Sequence, residues 1–238
     1  RLQVQTNTEN WEKITRKIGR WVDFENDYKT MDIDFMESVW WVFKELWSKG
    51  LIYQDYKVLP YSWAASTPLS NFEANMDYRD VEDPSIFFTV VARDDFHNVK
   101  KGDQFLVWTT TPWCIPGNLA IAVGENIEYT RIKIEKNFYW IATERLIELD
   151  KYSYEIIDSC VGKEIIGSTY FPAYSEYEHF YKDGAFRIIH SDDTNTESGS
   201  GLVSQAPAYG ESDFYTLKNS NIDVIADPVT LSGRFDST

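Results

Sequence analysis

A chain of 238 residues with 43% hydrophobic and 16% aromatic side chains can bury a sizeable core, as one large domain or two small ones, which excludes an intrinsically disordered protein. A net charge of −15 opposes broad binding of nucleic acid through clustered cations, so any polynucleotide partner would be gripped locally or by other parts of the protein, and no apolar run approaches the ~18–20 residues of a membrane helix, so no membrane partner is expected. Two widely separated cysteines, Cys114 and Cys160, form no C-x-x-C pair; reduced thiols in a cytoplasmic protein are expected, with no disulfide framework and no metal site.

The start, RLQVQTNTENWEK, lacks an apolar core behind a basic end and carries no initiator Met, so it reads as the beginning of a fragment and not as a signal peptide. In TENWEKITRKIG, Trp11, Ile14 and Ile18 recur at helical spacing and Gly19 is a stop. In DFMESVWWVFKELWSKG, Asp34 and Glu37 make a D-x-x-E start, Met36, Val39, Trp40, Phe43 and Trp47 line one face, and Gly50 caps the end. LIYQDYKVLPYSW is extended, and a long turn-rich connection runs to Ser85. From there short strands recur: IFFTVVAR, DQFLVWTT, LAIAV, EYTRIKIE, FYWIAT, YEIID, FRIIH, GLVSQ and DVIAD. Lys136-Asn137 reads as the turn of a hairpin. Helices are predicted at TERLIELDK (143–151) and ESDFYTLKN (211–219). The fold class expected is mostly β with some α: a β-barrel over residues 61–238, preceded by a Trp-rich helical segment over residues 1–60. Charge follows the same division. Residues 1–60 carry 9 Lys+Arg and 10 Asp+Glu, whereas residues 61–238 carry 14 and 28.

Three stretches bear on chemistry. In VWTTTPWCIPGNLAIAV (107–123), a strand ends in Thr109, Thr110 and Thr111 before Pro112. Strand residues alternate faces, so only a turn can gather these hydroxyls at a barrel mouth, where they suit a ribose, a phosphate or a polarised ester carbonyl. The plain alternative is a polar strand end held by Thr-to-backbone bonds. In SGSGLVSQAPAYGESDFYTLKN (198–219), Asp213 falls in the first turn of a helix, where the dipole favours a carboxylate by ~0.3–1 kcal/mol. It is either an ordinary first-turn acid or a carboxylate that holds a substrate ammonium. His190, near the end of FRIIH, is the nearest histidine, and a lone strand histidine reads as structural. VGKEIIGSTYFPAY (161–174) reads as turn, strand and turn.

These blocks resemble a known family. WTTTPWCIPGNLAIAV is similar to the threonine-rich motif of the editing domain of isoleucyl-tRNA synthetases. GSGLVSQAPAYGESDFY resembles that domain's second motif, G-x-G-x-V-H-x-A-P-x-x-G-x-x-D-[FY]. GRWVDFENDYKTMDIDF through NFE, GKEIIGSTYFPAY and DPVTLSGRF are similar to the family's flanking segments, in the same order. Valyl and leucyl relatives usually read T-T-R-P, and Thr111 stands where that Arg would be. The resemblance implies a class I synthetase whose Rossmann catalytic domain carries an inserted editing barrel. Residues 1–60 would be a catalytic-domain segment, and the barrel would hydrolyse mischarged Val-tRNA(Ile) with water. The implied partners are the tRNA(Ile) acceptor end, valine and isoleucine, and the rest of the synthetase chain. ATP with Mg would serve the whole enzyme. Its H-I-G-H and K-M-S-K-S signatures do not occur in this sequence, so the fragment would not aminoacylate alone.

By position, the resemblance gives Asp213 the α-ammonium, and places Thr109, Thr110 and Thr111 around the amino acid and terminal ribose. Trp113, Cys114, Asn118 and Ser204 would be substrate-binding. Two residues depart from the family pattern: Cys114 stands where Thr is usual, and Ser204 where His is usual. The alternative reading is a non-catalytic module that binds the tRNA acceptor end with a decayed site. A free-standing editing protein and a cysteine nucleophile fit less well, the first because the Trp-rich helices would lack a partner, the second because no His or Asn partner for Cys114 lies nearby in sequence.

Overall fold

In the computed structural model, which describes residues 2–236, contacts divide the chain into two units, Arg1–Tyr56 and Lys57–Thr238. The first is helical. Its helix α1 (Leu2–Lys17) starts well before the expected Thr8, and the chain turns after it at Gly19, where φ is +77°. The second helix, α2 (Ile33–Ser48), is capped by Asp32 without a side-chain cap bond; Asp34 therefore sits in the first turn and is not the start residue. At the other end the Gly50 N–H donates to Trp47 O (2.9 Å) and the Leu51 N–H to Leu46 O (3.0 Å). That bond pair, with Gly50 at φ +67°, is a Schellman ending. The apolar face of α2 stays exposed, with Trp40 67% and Trp47 61% accessible.

The second unit opens with two short pieces inside what reads as an irregular connection. Strand β1 (Tyr61–Ser62) pairs antiparallel with β2 (Thr67–Pro68), and α3 (Asn71–Ala74) follows. A reciprocal capping box starts α3: Glu73 N–H donates to Ser70 Oγ, and Ser70 N–H to Glu73 Oε2.

Nine strands then form one sheet: β3 (Ile86–Ala92), β4 (Gln104–Thr109), β5 (Ala120–Val123), β6 (Glu128–Ile134), β7 (Asn137–Ala142), β8 (Glu155–Val161), β9 (Tyr170–Phe171), β10 (Arg187–His190) and β11 (Val203–Gln205). One edge of β4 is shared. Its first residues pair with β7, which leads to β6 and β8; Trp108, further along, pairs with Val203 of β11. β11 passes on to β5 and β10, and the other edge of β4 carries β3 and then β9. A bridge between Thr169 and Arg187, with Ile188 N–H donating to Ser168 O (2.8 Å), returns β9 to β10. The sheet thus curls into a ring of six strands with β7, β6 and β8 as an arm, in line with the expected mostly-β barrel.

Alternation explains the packing. On β4, Phe105, Val107 and Thr109 are buried on one face, so the strand that fills the core also delivers Thr109 to its end. A second, smaller cluster in the arm holds Ile132, Ile141 and Leu149. Asp103, 1% accessible, ties ring to arm: it accepts from Arg131 Nε (2.8 Å) and Nη2 (2.7 Å), Trp140 Nε1 (3.0 Å) and Lys100 N (2.9 Å). A paired, fully bonded carboxylate is the form in which burial is tolerated.

Three expectations are corrected. DVIAD (223–227) forms no strand: Ala226 is its one buried residue, with Val224 and Ile225 both half-buried, so the segment lacks the every-second-residue burial of a strand. The hairpin turns at Glu135-Lys136, one residue early, since Asn137 already pairs with Ile134 and Glu135 takes the left-handed φ of +55°. Residues Thr143–Leu149 form a 3-10 helix; 211–219 is a true helix, α4 (Glu211–Asn219). Among the described residues no helix is long and apolar enough to cross a membrane.

Candidate functional site

Thr109 ends β4, and Pro112 opens a 3-10 turn (Pro112–Gly117) that reverses the chain. Thr111 N–H donates to Thr109 Oγ1 (3.1 Å), and the two hydroxyl oxygens lie 3.3 Å apart. The turn after β4 thus brings the Thr109 and Thr111 hydroxyls together. Cys114 N–H donates to Thr111 O (2.9 Å), which fixes the turn. The thiol beside it is half-buried; burial pushes its pKa up, partly countered by a bond with Thr111, and the Asp213 charge pushes it up further. A protonated thiol is a poor nucleophile at neutral pH.

Ser204 sits in β11, between β5 and β4. Its Oγ accepts from Asn118 Nδ2 (2.9 Å), and Asn118 is itself buried. Asp213 comes from the first turn of α4, and its Oδ2 accepts from Ala206 N (2.8 Å). Burial holds its carboxyl above the ordinary carboxylate range, against the backbone bonds that pull it down. No Lys, Arg or His forms an ion pair with Asp213 among the described residues. Gly210 leaves room for this side chain: a Cβ there would fall 2.8 Å from Asp213 Cγ, so the carboxyl would have to shift.

These elements converge. Thr109, Thr111, Ser204 and Asp213 line two cavities in common. The smaller, about 240 Å³, is completed by Cys114, Ala206, Tyr209 and Gly210. The larger, about 310 Å³, is completed by Thr110 and by residues of the 193–203 loop, among them Asp193, Asn195, Ser198 and Ser200. Trp113 and Asn118 line neither; Trp113 is 48% accessible, and Asn118 lies behind Ser204. His190 also lies outside both, bonded to Asp192 (3.0 Å). A third cavity, about 690 Å³, is lined by Phe87, Leu106, Tyr139 and residues 147–152 and contains none of these side chains.

Sequence reasoning missed the loop. Asp193 accepts from Ser212 Oγ (2.5 Å), which pins it to α4, and Arg145 Nε donates to Gly199 O (3.0 Å). Its signal is the unbroken polar run SDDTNTESGSG (191–201), which ends in Gly199 and Gly201. Tyr209 was missed as well; its hydroxyl donates to Asp227 (3.1 Å), and burial and that carboxylate raise its pKa. The cavities therefore present hydroxyls and two carboxylates, and no lining residue is a Lys, Arg or His. Such a lining suits a ligand with an ammonium and ribose-like hydroxyls. Among the described residues no cluster of His, Cys, Asp or Glu is placed to hold a metal.

A sequence model of tRNA synthetases class I (I, L, M and V) matches residues 1–202. The isoleucine–tRNA ligase of Protochlamydia amoebophila is 44% identical over 232 residues, 96% of this chain and 22% of that protein. The cytoplasmic isoleucine–tRNA ligase of Mus musculus is 41% identical over 243 residues, 99% of this chain and 19% of that protein. The chain thus spans about a fifth of these relatives' length. Among solved structures, GlLeuRS-CP1 matches with a TM-score of 0.48 at 13% identity, covering 57% of this chain and 59% of that one. A cytosolic leucyl-tRNA synthetase editing domain of P. knowlesi matches with 0.46 at 13%, covering 57% and 62%.

Proposed function

We propose a proofreading role for this chain, which belongs to the class I tRNA synthetases (I, L, M and V). In this reading residues 61–238 are the editing domain of an isoleucine–tRNA ligase and residues 1–60 a segment of its catalytic domain. The reaction is hydrolysis of Val-tRNA(Ile) to valine and free tRNA. The need for it is energetic. One methylene in an apolar pocket is worth about 1–3 kcal/mol, a general figure for which isoleucine-against-valine discrimination is itself the standard example and not a magnitude obtained from this chain.

The observation that carries the reading is the shared lining of the two cavities by Thr109, Thr111, Ser204 and Asp213. Asp213 takes the α-ammonium of the esterified amino acid. The smaller cavity takes the valyl side chain, and the larger one, with Asp193 and its serines, takes the terminal ribose and base. A water attacks the ester carbonyl carbon, the bond to the ribose oxygen breaks, and the proton passes to that oxygen. The ester is already labile, so positioning and stabilisation of the developing oxyanion suffice. The cysteine plays no covalent part. With no cation in the lining, the tRNA phosphates are gripped by other surfaces, and ATP with Mg serves the aminoacylation chemistry of the whole enzyme.

The test is release of valine from Val-tRNA(Ile), with Ile-tRNA(Ile) as the disfavoured substrate and Asp213→Ala as control. Valine release that depends on Asp213 supports proofreading. Binding of the tRNA without release supports instead a module that only holds the acceptor end.

A further inference from the structure

The bonding around Ser204 gives its hydroxyl a definite polarity. Asn118 Nδ2 lies 2.7 Å from Ala120 O, an atom that can only accept. The amide nitrogen must therefore face that carbonyl, and Oδ1 must face the other way. There the Tyr170 hydroxyl donates to it at 2.6 Å. Tyr170 is fully buried, and burial raises its pKa well above the ordinary range, so this donor stays protonated. Asn118 Nδ2 also donates to Ser204 Oγ at 2.9 Å. A serine hydroxyl has one proton and two lone pairs, and here one lone pair is taken from behind. The proton is left for an acceptor on the open side, where both cavities lie.

We propose that Tyr170 and Asn118 act as positioning residues that turn the Ser204 hydroxyl into a fixed hydrogen-bond donor aimed at the carbonyl oxygen of the bound ester. The inference rests on the proofreading reading above and names the group that meets the charge developing in it. Successive donation from Tyr170 through Asn118 polarises each bond in turn, which makes the Ser204 O–H a better donor than an isolated serine. A donor built before the substrate arrives needs no reorganisation as the oxyanion forms. Serine supplies it without a titrating ring.

The experiment is single-turnover and steady-state deacylation of Val-tRNA(Ile) by the full-length protein and by Ser204→Ala, Ser204→Thr, Tyr170→Phe and Tyr170→Phe/Ser204→Ala, with melting followed alongside. Ser204→Ala is expected to lower kcat by about 10²-fold or more with KM little changed, the usual cost of one oxyanion donor. Ser204→Thr keeps the hydroxyl and most of kcat. Tyr170→Phe lowers kcat in the wild-type background, yet the double variant is no slower than Ser204→Ala, because Tyr170 acts only through Ser204. The proposal is overturned if Ser204→Ala keeps its kcat, or if Tyr170→Phe slows both backgrounds equally, as loss of packing would. The Ser204 pair decides the donor even if Tyr170→Phe melts early. No valine release by the unaltered protein ends the proofreading reading, and this proposal with it. Release abolished by Asp213→Ala but untouched in Ser204→Ala ends only the donor assignment.

Discussion

Replacing Asp213 by asparagine separates what the residue does for the ligand from what it costs the fold. The side chain keeps its size, and its amide oxygen can still accept from Ala206 N, the bond that now holds Asp213 Oδ2 at 2.8 Å. The charge is lost, and the second oxygen becomes an NH2 that cannot accept from an ammonium. For the ligand, a hydrogen bond between ions is worth about 1.5–3 kcal/mol, so kcat/KM for Val-tRNA(Ile) falls by roughly 10- to 150-fold. For the fold the sign is opposite. Burial raises the Asp213 carboxyl above its ordinary value of 3.8, so the folded chain holds that proton more tightly than the unfolded one. Stability from this group is therefore fully present below pH 3.8 and is lost as the pH rises through the higher folded value. Asparagine has no such loss. Relative to wild type, Asp213→Asn gains stability between acid and neutral pH, and the two curves run parallel once both side chains are neutral. Deacylation kinetics at neutral pH and denaturant melts across an acid-to-neutral series measure the two effects. Undiminished deacylation removes the ammonium role, and a variant that gains no stability relative to wild type as the pH rises refutes the account of burial.

Gly210→Ala places a methyl 2.8 Å from Asp213 Cγ, so it lowers kcat/KM in the direction of Asp213→Asn while the melting curve moves little, which the same two assays read together. Asp103→Ala leaves the Arg131 guanidinium, whose side chain is only 13% accessible, without its partner. The expected loss is about 3–5 kcal/mol, the cost of breaking a buried pair. At about 2–4 °C per kcal/mol for a domain of this size, the melting temperature drops by roughly 6–20 °C in calorimetry.

The strands were legible because their chemistry is local. IFFTVVAR, EYTRIKIE and FYWIAT are filled with β-branched and aromatic residues, and β3, β6 and β7 lie where those runs are. DVIAD has the same composition and no strand, because its burial is decided by what packs on it and not by its own pattern. The capping box of α3 was present as Ser70 and Glu73, but a four-residue helix offers no apolar period to draw attention to it. In the site, Thr109, Thr111, Ser204 and Asp213 were marked by residue type and by resemblance. Their convergence was not legible, since it depends on β11 lying between β4 and β5. Tyr170 was passed over for the same reason: it is 52 residues from Asn118 in sequence and 2.6 Å from it in space.

The central claim is that one small cleft seats an aminoacylated adenosine, with its ammonium on Asp213 and its ester beside Thr109, Thr111 and Ser204. A crystal structure of the protein with 3′-valylamino-3′-deoxyadenosine, whose amide resists hydrolysis, tests it most directly. The account predicts the valyl side chain in the cavity of about 240 Å³, the amino group within hydrogen-bond distance of Asp213, and the carbonyl oxygen against Ser204. A ligand seated in the apolar cavity beside Phe87 and Tyr139, or one that leaves Asp213 without a contact, contradicts it.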